Sequence, residues 1–171
     1  VAASGSADAA ISWTTAMTID NGGRVTMPLQ PAFSVYKSAA QSNLATGYNT
    51  VTLDSEVYDV GGNFASNTFT APVTGKYMIV CSLTFTTIPL DSNWFFTMID
   101  TSNRAYNNST SMSQYDDGTS STYGTTYSHT VIADMDANDT MVIKVYQYTG
   151  TTSTDILSGS AYTYVQGILL S

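Results

Sequence analysis

The run from Tyr77 to Phe85, YMIVCSLTF, constrains this chain more than any other segment. Successive side chains of a strand point to opposite faces. One face then carries Tyr77, Ile79, Cys81, Leu83 and Phe85, and the other carries Met78, Val80, Ser82 and Thr84. Two later segments behave similarly. Met141, Ile143 and Val145 oppose Val142, Tyr146 and Tyr148, and Tyr164, Ile168 and Leu170 oppose Val165 and Leu169. A sandwich needs only one apolar face per sheet. A second, partly apolar face on three strands needs another cover, either a loop or terminal segment of the same chain or a neighbouring subunit.

The rest of the chain reads as short strands and turns, with no convincing helical period and no internal repeat. Ala16 to Asp20 and Arg24 to Met27 flank Asn21-Gly22-Gly23 and read as a hairpin. Pro28 and Pro31 then mark a boundary. Residues 1–30 are therefore expected to form an N-terminal arm with a hairpin, outside a domain spanning 31–171. Within that domain strands are expected at Ala32 to Tyr36, at Thr50 to Val60 with breaks, and between Phe69 and Phe85. Others follow at Trp94 to Asp100, Tyr127 to Ala133, Met141 to Tyr148 and Tyr162 to Leu170. The stretch from Thr101 to Thr122 is polar and nearly free of aliphatic residues. Many short strands separated by turns make a sandwich or jelly roll.

At 171 residues the chain can bury one core without a disulfide framework, and its single cysteine, Cys81, has no partner within the chain. Thirteen acidic residues against five basic ones give a net charge of −8. Such a chain builds neither the basic face that nucleic-acid binding needs nor a polybasic membrane patch. No apolar run reaches the roughly 20 residues of a membrane helix. The first residues, VAASGSADAA, have neither the basic nor the apolar region of a signal peptide, and there is no initiator Met, so the chain reads as processed or as part of a longer one.

Five segments appear in a telling order: PAFSVYK at 31–37, TLDSEVYDVGGNF at 52–64, FTAPVTGKYMIVCSLTF at 69–85, MDANDTMVIKV at 135–145 and YTYVQGILLS at 162–171. Together they resemble the complement C1q-like globular domain, kin to the tumour necrosis factor fold. Asn138 stands where that family usually has Gly, and Gln166 where a small residue is common. The resemblance implies an all-β, ten-stranded jelly roll forming a tight homotrimer. Matched by position, it places Met78, Val80, Tyr146, Tyr148, Val165 and Leu169 at the threefold axis. The arm, AMTIDNGGRVTMP, is similar to hairpins that precede the C-terminal knobs of bacteriophage tail fibres and other virion proteins.

Catalysis finds little material. The one histidine, His129, follows Ser128 on a strand, where neighbours face opposite ways, so it reads as a surface or loop-proximal residue and not as the base of a triad. Glu56 and Asp54 read as solvent-facing acids, and zinc is implausible with one His and one Cys. Asp134 to Asp139 mimics the start of an EF-hand but lacks its Gly and its closing Glu. No cofactor is expected. A calcium site involving Asp116 and Asp117, with Asp91, is the one metal site the resemblance leaves open. Trp94, Tyr106, Tyr115, Asp116, Asp117 and Tyr123 sit in or near polar loops, a mixture suited to sugar or protein contact.

The expectation is a non-enzymatic, homotrimeric knob on a viral particle, either a phage fibre tip or a capsid or tail decoration. Its partners would be other virion proteins and host-surface glycans or receptors, with no nucleic acid and no membrane insertion. The alternative is a secreted cellular C1q-like lectin or adhesin.

Overall fold

The computed structural model describes residues 13–87, 94–110, 124–148 and 154–171. Every regular element among them is a strand. Near the start of the described residues, β1 (Thr18–Ile19) and β2 (Val25–Thr26) pair as an antiparallel hairpin that forms its own two-stranded sheet. The Asp20 carboxylate closes its turn, accepting from the amides of Gly22 at 2.8 Å and Arg24 at 3.0 Å and pairing with the Arg24 guanidinium at 2.7 Å. These donors hold its pKa below the usual carboxylate value. Met17, Ile19, Val25 and Met27 of the arm remain exposed.

The remaining strands form two packed sheets. The first strands of the domain are β3 (Ala32–Tyr36), β4 (Gln41–Leu44), β5 (Gly47–Thr50), β6 (Ser55–Asp59), β7 (Phe64–Ala65) and β8 (Thr68–Thr70). The long β9 (Gly75–Thr87) follows, then β10 (Phe95–Thr101), β11 (Ala105–Thr110), β12 (Thr125–Met135), β13 (Thr140–Gln147), β14 (Thr154–Ile156) and β15 (Tyr164–Leu169). One sheet runs β4-β14-β9-β15-β3-β6, with β12 also paired to β9. The other runs β11-β10-β13-β8-β7, with β5 also paired to β13. All pairings are antiparallel, and the chain crosses repeatedly between the sheets. This is a jelly roll.

More strand segments appear than the ten expected, several of them short, and residues in the left-handed region lie within or between the early ones. Asn43 (φ 61°) and Gly47 (φ 97°) lie at β4 and β5, and Ser66 (φ 50°) and Asn67 (φ 65°) make the tight turn between β7 and β8. The Asn67 carboxamide accepts from the Leu53 amide at 2.7 Å. Pro72 lies where the chain leaves β8 in one sheet for β9 in the other, so the segment from Phe69 to Phe85 divides between the two sheets. Strand β11, AYNNST, falls inside the polar stretch in which no strand was expected. It is an edge strand, paired only to β10 among the described residues, and needs few aliphatic residues.

Aromatic clusters pin the sheets together near both ends. Phe33 stacks on Phe69 at 4.6 Å and meets Phe64 at 5.4 Å, and Phe69 meets Tyr77 edge-on at 5.4 Å. At the far end Phe85 packs against Phe95 at 5.0 Å and Tyr127 at 5.7 Å. Ile79, Cys81, Leu83, Val35, Val165, Ile99, Ile143 and Val145 fill the space between and are fully buried. Burial pushes the Cys81 thiol up to about 12, so it packs as a small hydrophobe. Lys37 is also buried, its ammonium held by the carbonyl of Thr52 at 3.3 Å and by the Thr52 hydroxyl.

The two segments FTAP and DAND meet in space. The Ala71 amide donates to the Asp139 carbonyl and the Asn138 amide to the Ala71 carbonyl, both at 2.8 Å. Asn138 has φ 75°, so this turn needs Gly or a residue that tolerates the left-handed region, which Asn does. Gly167 is required for a different reason. A Cβ there would collide with the Phe33 ring. We expect Gly167→Ala to lower unfolding stability by about 1–3 kcal/mol in urea titrations, the usual cost of overpacking, whereas Asn138→Gly should leave the midpoint nearly unchanged. An unshifted Gly167→Ala midpoint would contradict this packing.

Candidate functional site

Each sheet turns one face inward, and the register fixes what the other face shows. On the outer face of the β9 sheet the strands align in rows. Ile132, Met78, Ile168 and Ala32 form one row across β12, β9, β15 and β3. Thr130, Val80, Gln166, Ser34 and Tyr58 form the next, reaching β6. Ser128, Ser82, Tyr164 and Tyr36 form the third. None of these residues is charged, in a chain of net charge −8. Ile132 is 59% exposed, Tyr58 47% and Ile168 37%. A shallow cleft of about 190 Å³ lies between Tyr58, Met78, Val80, Gln166 and Ile168. Gln166 points into this face and donates to the Ser34 hydroxyl at 3.3 Å, which accounts for a long side chain beside Gly167.

The outer face of the β13 sheet is aromatic. Tyr48, Tyr146 and Phe96 align across β5, β13 and β10. Tyr146 stacks on Phe96 at 4.8 Å and meets Tyr48 at 4.6 Å, and Trp94 lies 5.8 Å from Phe96 and 6.5 Å from Tyr146. In the next row Lys144 reaches diagonally to Asp100, one row further on, at 2.6 Å.

Solved structures can now be compared. The globular domain of zebrafish complement 1qA superposes with a TM-score of 0.57 at 16% identity, covering 83% of this chain and 98% of that one. Murine APRIL, in crystals at pH 8.0, gives 0.60 at 9% identity, covering 82% and 99%. The fold is a jelly roll of the C1q/TNF type. No protein-family model matches the sequence. No curated protein matches it either.

The six residues assigned to a threefold axis do not share a surface. Met78 and Val80 lie on the outer face of the β9 sheet, while Tyr146 and Tyr148 extend from the other sheet. Val165 is fully buried in the core, so it presents nothing to a partner. Leu169 also packs inward, against the core and over Gly75. The outward residues of β15 are the opposite set, Tyr164, Gln166 and Ile168. The physical reason is the two-residue period: matching by sequence position placed β15 one residue out of phase, and one residue exchanges the faces.

Of the ligand candidates, Trp94 joins the aromatic face. Tyr106 does not stand in a loop. It is on β11, half-buried against the core, with the Arg104 guanidinium 5.9 Å from its ring centre. Tyr115, Asp116, Asp117 and Tyr123 lie outside the described residues, as does Asp91. Tyr48 and Phe96 escaped sequence reading. The alternation of Trp94, Phe96 and Met98 against Phe95, Thr97 and Ile99 was the available signal for Phe96, whereas the short β5 gave none for Tyr48. In the acidic turn Asp139 accepts from the Asp136 amide at 2.7 Å and the Asn103 carboxamide at 2.6 Å, so its carboxylate serves the turn. Asp54 is likewise engaged, accepting from the Ser38 amide at 2.7 Å and hydroxyl at 2.9 Å.

His129 corrects its expected surface position. It faces inward from β12, in register with buried Cys81, while Ser128 faces out and bonds Ser82 at 2.9 Å. Neither ring nitrogen makes a full hydrogen bond among the described residues, and neither does the buried Thr97 hydroxyl of β10. Burial lowers the imidazole pKa below 6.5, and the nearby Tyr106 backbone offsets part of that shift. The unfolded chain therefore takes up this proton at a higher pH than the folded one. Stability from this group is complete above the unfolded value of 6.5 and falls as pH drops from there toward the folded pKa. Urea midpoints measured between pH 7.5 and 5.5 should decline on acidification, with a shallower decline in His129→Leu. Equal slopes in both would contradict the buried neutral imidazole.

Proposed function

We propose that this chain is a non-enzymatic, homotrimeric binding knob on a viral particle, serving as a fibre tip or as a capsid or tail decoration that meets the host surface. The observation that carries the trimer is the block of three uncharged rows on the outer face of the β9 sheet, bordered by the Lys76–Asp134 pair of the next row. Removing a charge from water without a partner costs several kcal/mol, and a symmetric contact repeats that cost in every subunit. Three neutral rows, with Ile132, Met78 and Ile168 at one end, avoid that cost and supply apolar area. The C1q-like resemblance implies an assembly of the same kind. Self-contact through a sheet face also supplies the second cover that the alternation of β9 and β15 demands.

The arm supports the particle context. Its exposed Met17, Ile19, Val25 and Met27 lie on a hairpin stitched by Asp20 and Arg24. Its root, Met27 to Pro31, lines an apolar cleft of about 620 Å³ together with Val73 and Leu169 to Ser171. Such a segment suits attachment to a stalk or shell built from other chains.

Met78→Asp and Ile132→Asp should yield species smaller than three chains by native mass measurement, with far-ultraviolet circular dichroism retained. Asn107→Asp, an exposed position on the other sheet, should leave three chains intact. Trimeric Met78→Asp would remove the proposed interface. For the particle context, antibodies raised against residues 31–171 should label intact virions in immunogold micrographs of the source material. Labelling confined to cell surfaces or secreted material would contradict a virion role.

A further inference from the structure

We propose that the aromatic face centred on Tyr146 is a binding platform for a neutral, hexose-based oligosaccharide of a host-surface polysaccharide. This rests on the reading of the chain as a binding knob and names its ligand class and surface. The other three rings of the cluster, Tyr48, Phe96 and Trp94, have centres within 6.5 Å of Tyr146. Tyr48 is 64% exposed, Trp94 54% and the adjacent Tyr148 55%, so ring surface is presented to solvent. Phe96, 5% exposed, is the floor beneath them. Three of these side chains are tyrosines, and in the pleat beyond Phe96 the neighbours are Ser109 and Asn107. The site therefore offers apolar ring faces to the C–H face of a pyranose and hydroxyl and amide groups to its rim.

Charge decides the ligand class. Lys144 of the neighbouring row and Asp100 of the row beyond it neutralise each other at 2.6 Å. No charged residue lies in the Tyr48, Tyr146, Phe96 and Ser109 row. With a net charge of −8 the protein as a whole repels phosphates, sulfates and uronic or sialic acids. Nucleobases would stack on such rings but would bring phosphates with them. A short oligosaccharide needs only a few exposed ring faces, whereas a stable protein interface draws roughly 800 Å² from each side. The platform is also well fixed. Tyr48 follows Gly47, whose φ of 97° sets the turn into β5, and the Asn49 carboxamide ties that turn by donating to the Ala45 carbonyl at 2.8 Å and the Gly47 carbonyl at 3.1 Å.

The test uses the full chain on an array of immobilised neutral hexose and N-acetylhexosamine oligosaccharides, with sialylated and uronic-acid oligosaccharides alongside. Any neutral oligosaccharide retained is then titrated in solution by fluorescence in a Trp13→Phe variant, which leaves Trp94 as the reporter. We expect retention on neutral members, a Trp94 emission change on titration, and at least about tenfold weaker binding, some 1.4 kcal/mol, in Tyr48→Ser. Native mass is measured on each variant. Tyr48→Ser that remains trimeric but no longer binds supports the platform and leaves the assembly reading intact. Absence of retention on every neutral member, retention only on acidic ones, or undiminished binding by Tyr48→Ser overturns the platform while the trimer stands. A Tyr48→Ser chain that loses its oligomeric state marks this face as a contact between copies and also overturns it.

Discussion

The Phe33 ring lying against the bare backbone of Gly167 is the contact on which the two sheets depend. It brings β3 and β15 together in one sheet and lets the same ring stack on Phe69 of the other. A side chain at 167 would lift Phe33 from that position and open the cluster it shares with Phe64, Phe69 and Tyr77. Aromatic pairs contribute about 0.5–1.5 kcal/mol beyond the area they bury, so one displaced ring weakens several contacts together. Gly75 plays a related part, since its lack of a Cβ lets the terminal Ser171 carbonyl and the Leu169 side chain approach β9.

With the inner faces filled in this way, chemistry is left to the outer faces, and they differ. The β9 sheet shows neutral rows that run from aliphatic to hydroxyl, suited to contact with identical copies. The β13 sheet shows tyrosine and tryptophan rings beside a self-neutralised ion pair, suited to small neutral ligands. Under the proposed reading, with one face for assembly and the opposite one for recognition, an assembly would hold several copies of a weak site. Multivalency then raises avidity by about 10²–10⁴ without any new contact. Such an arrangement does not require tight binding by any single copy.

Much of this fold was legible in the residues. The alternation of β9 and the order of the FTAP, DAND and closing-Gly segments lead to a jelly roll, and Asn-Gly-Gly marks the separate hairpin that precedes it. The buried place of Cys81 followed from its sharing a face with Ile79 and Leu83. Other features were not legible, for physical reasons. Strand β11 is held by backbone pairing to β10 and carries polar residues, so hydrophobic periodicity is silent there. Tyr106 and His129 turn inward although one is aromatic beside polar residues and the other titratable, because strand parity and not side-chain type sets their direction. The proposed axis residues were harder still. Sequence shows that β9, β13 and β15 each have two apolar faces, but only the sheet order reveals that β13 lies across the core from the other two. Val165 then falls inside by the parity of a single residue.

The central claim is that the three uncharged rows on the outer face of the β9 sheet meet their own copies around a threefold axis. Sedimentation equilibrium of the unaltered chain, from high micromolar to nanomolar concentration, tests it most directly. The account predicts a mass of three 18.3 kDa chains across the micromolar range. A single-chain mass throughout, or a species of two or four chains, would contradict it.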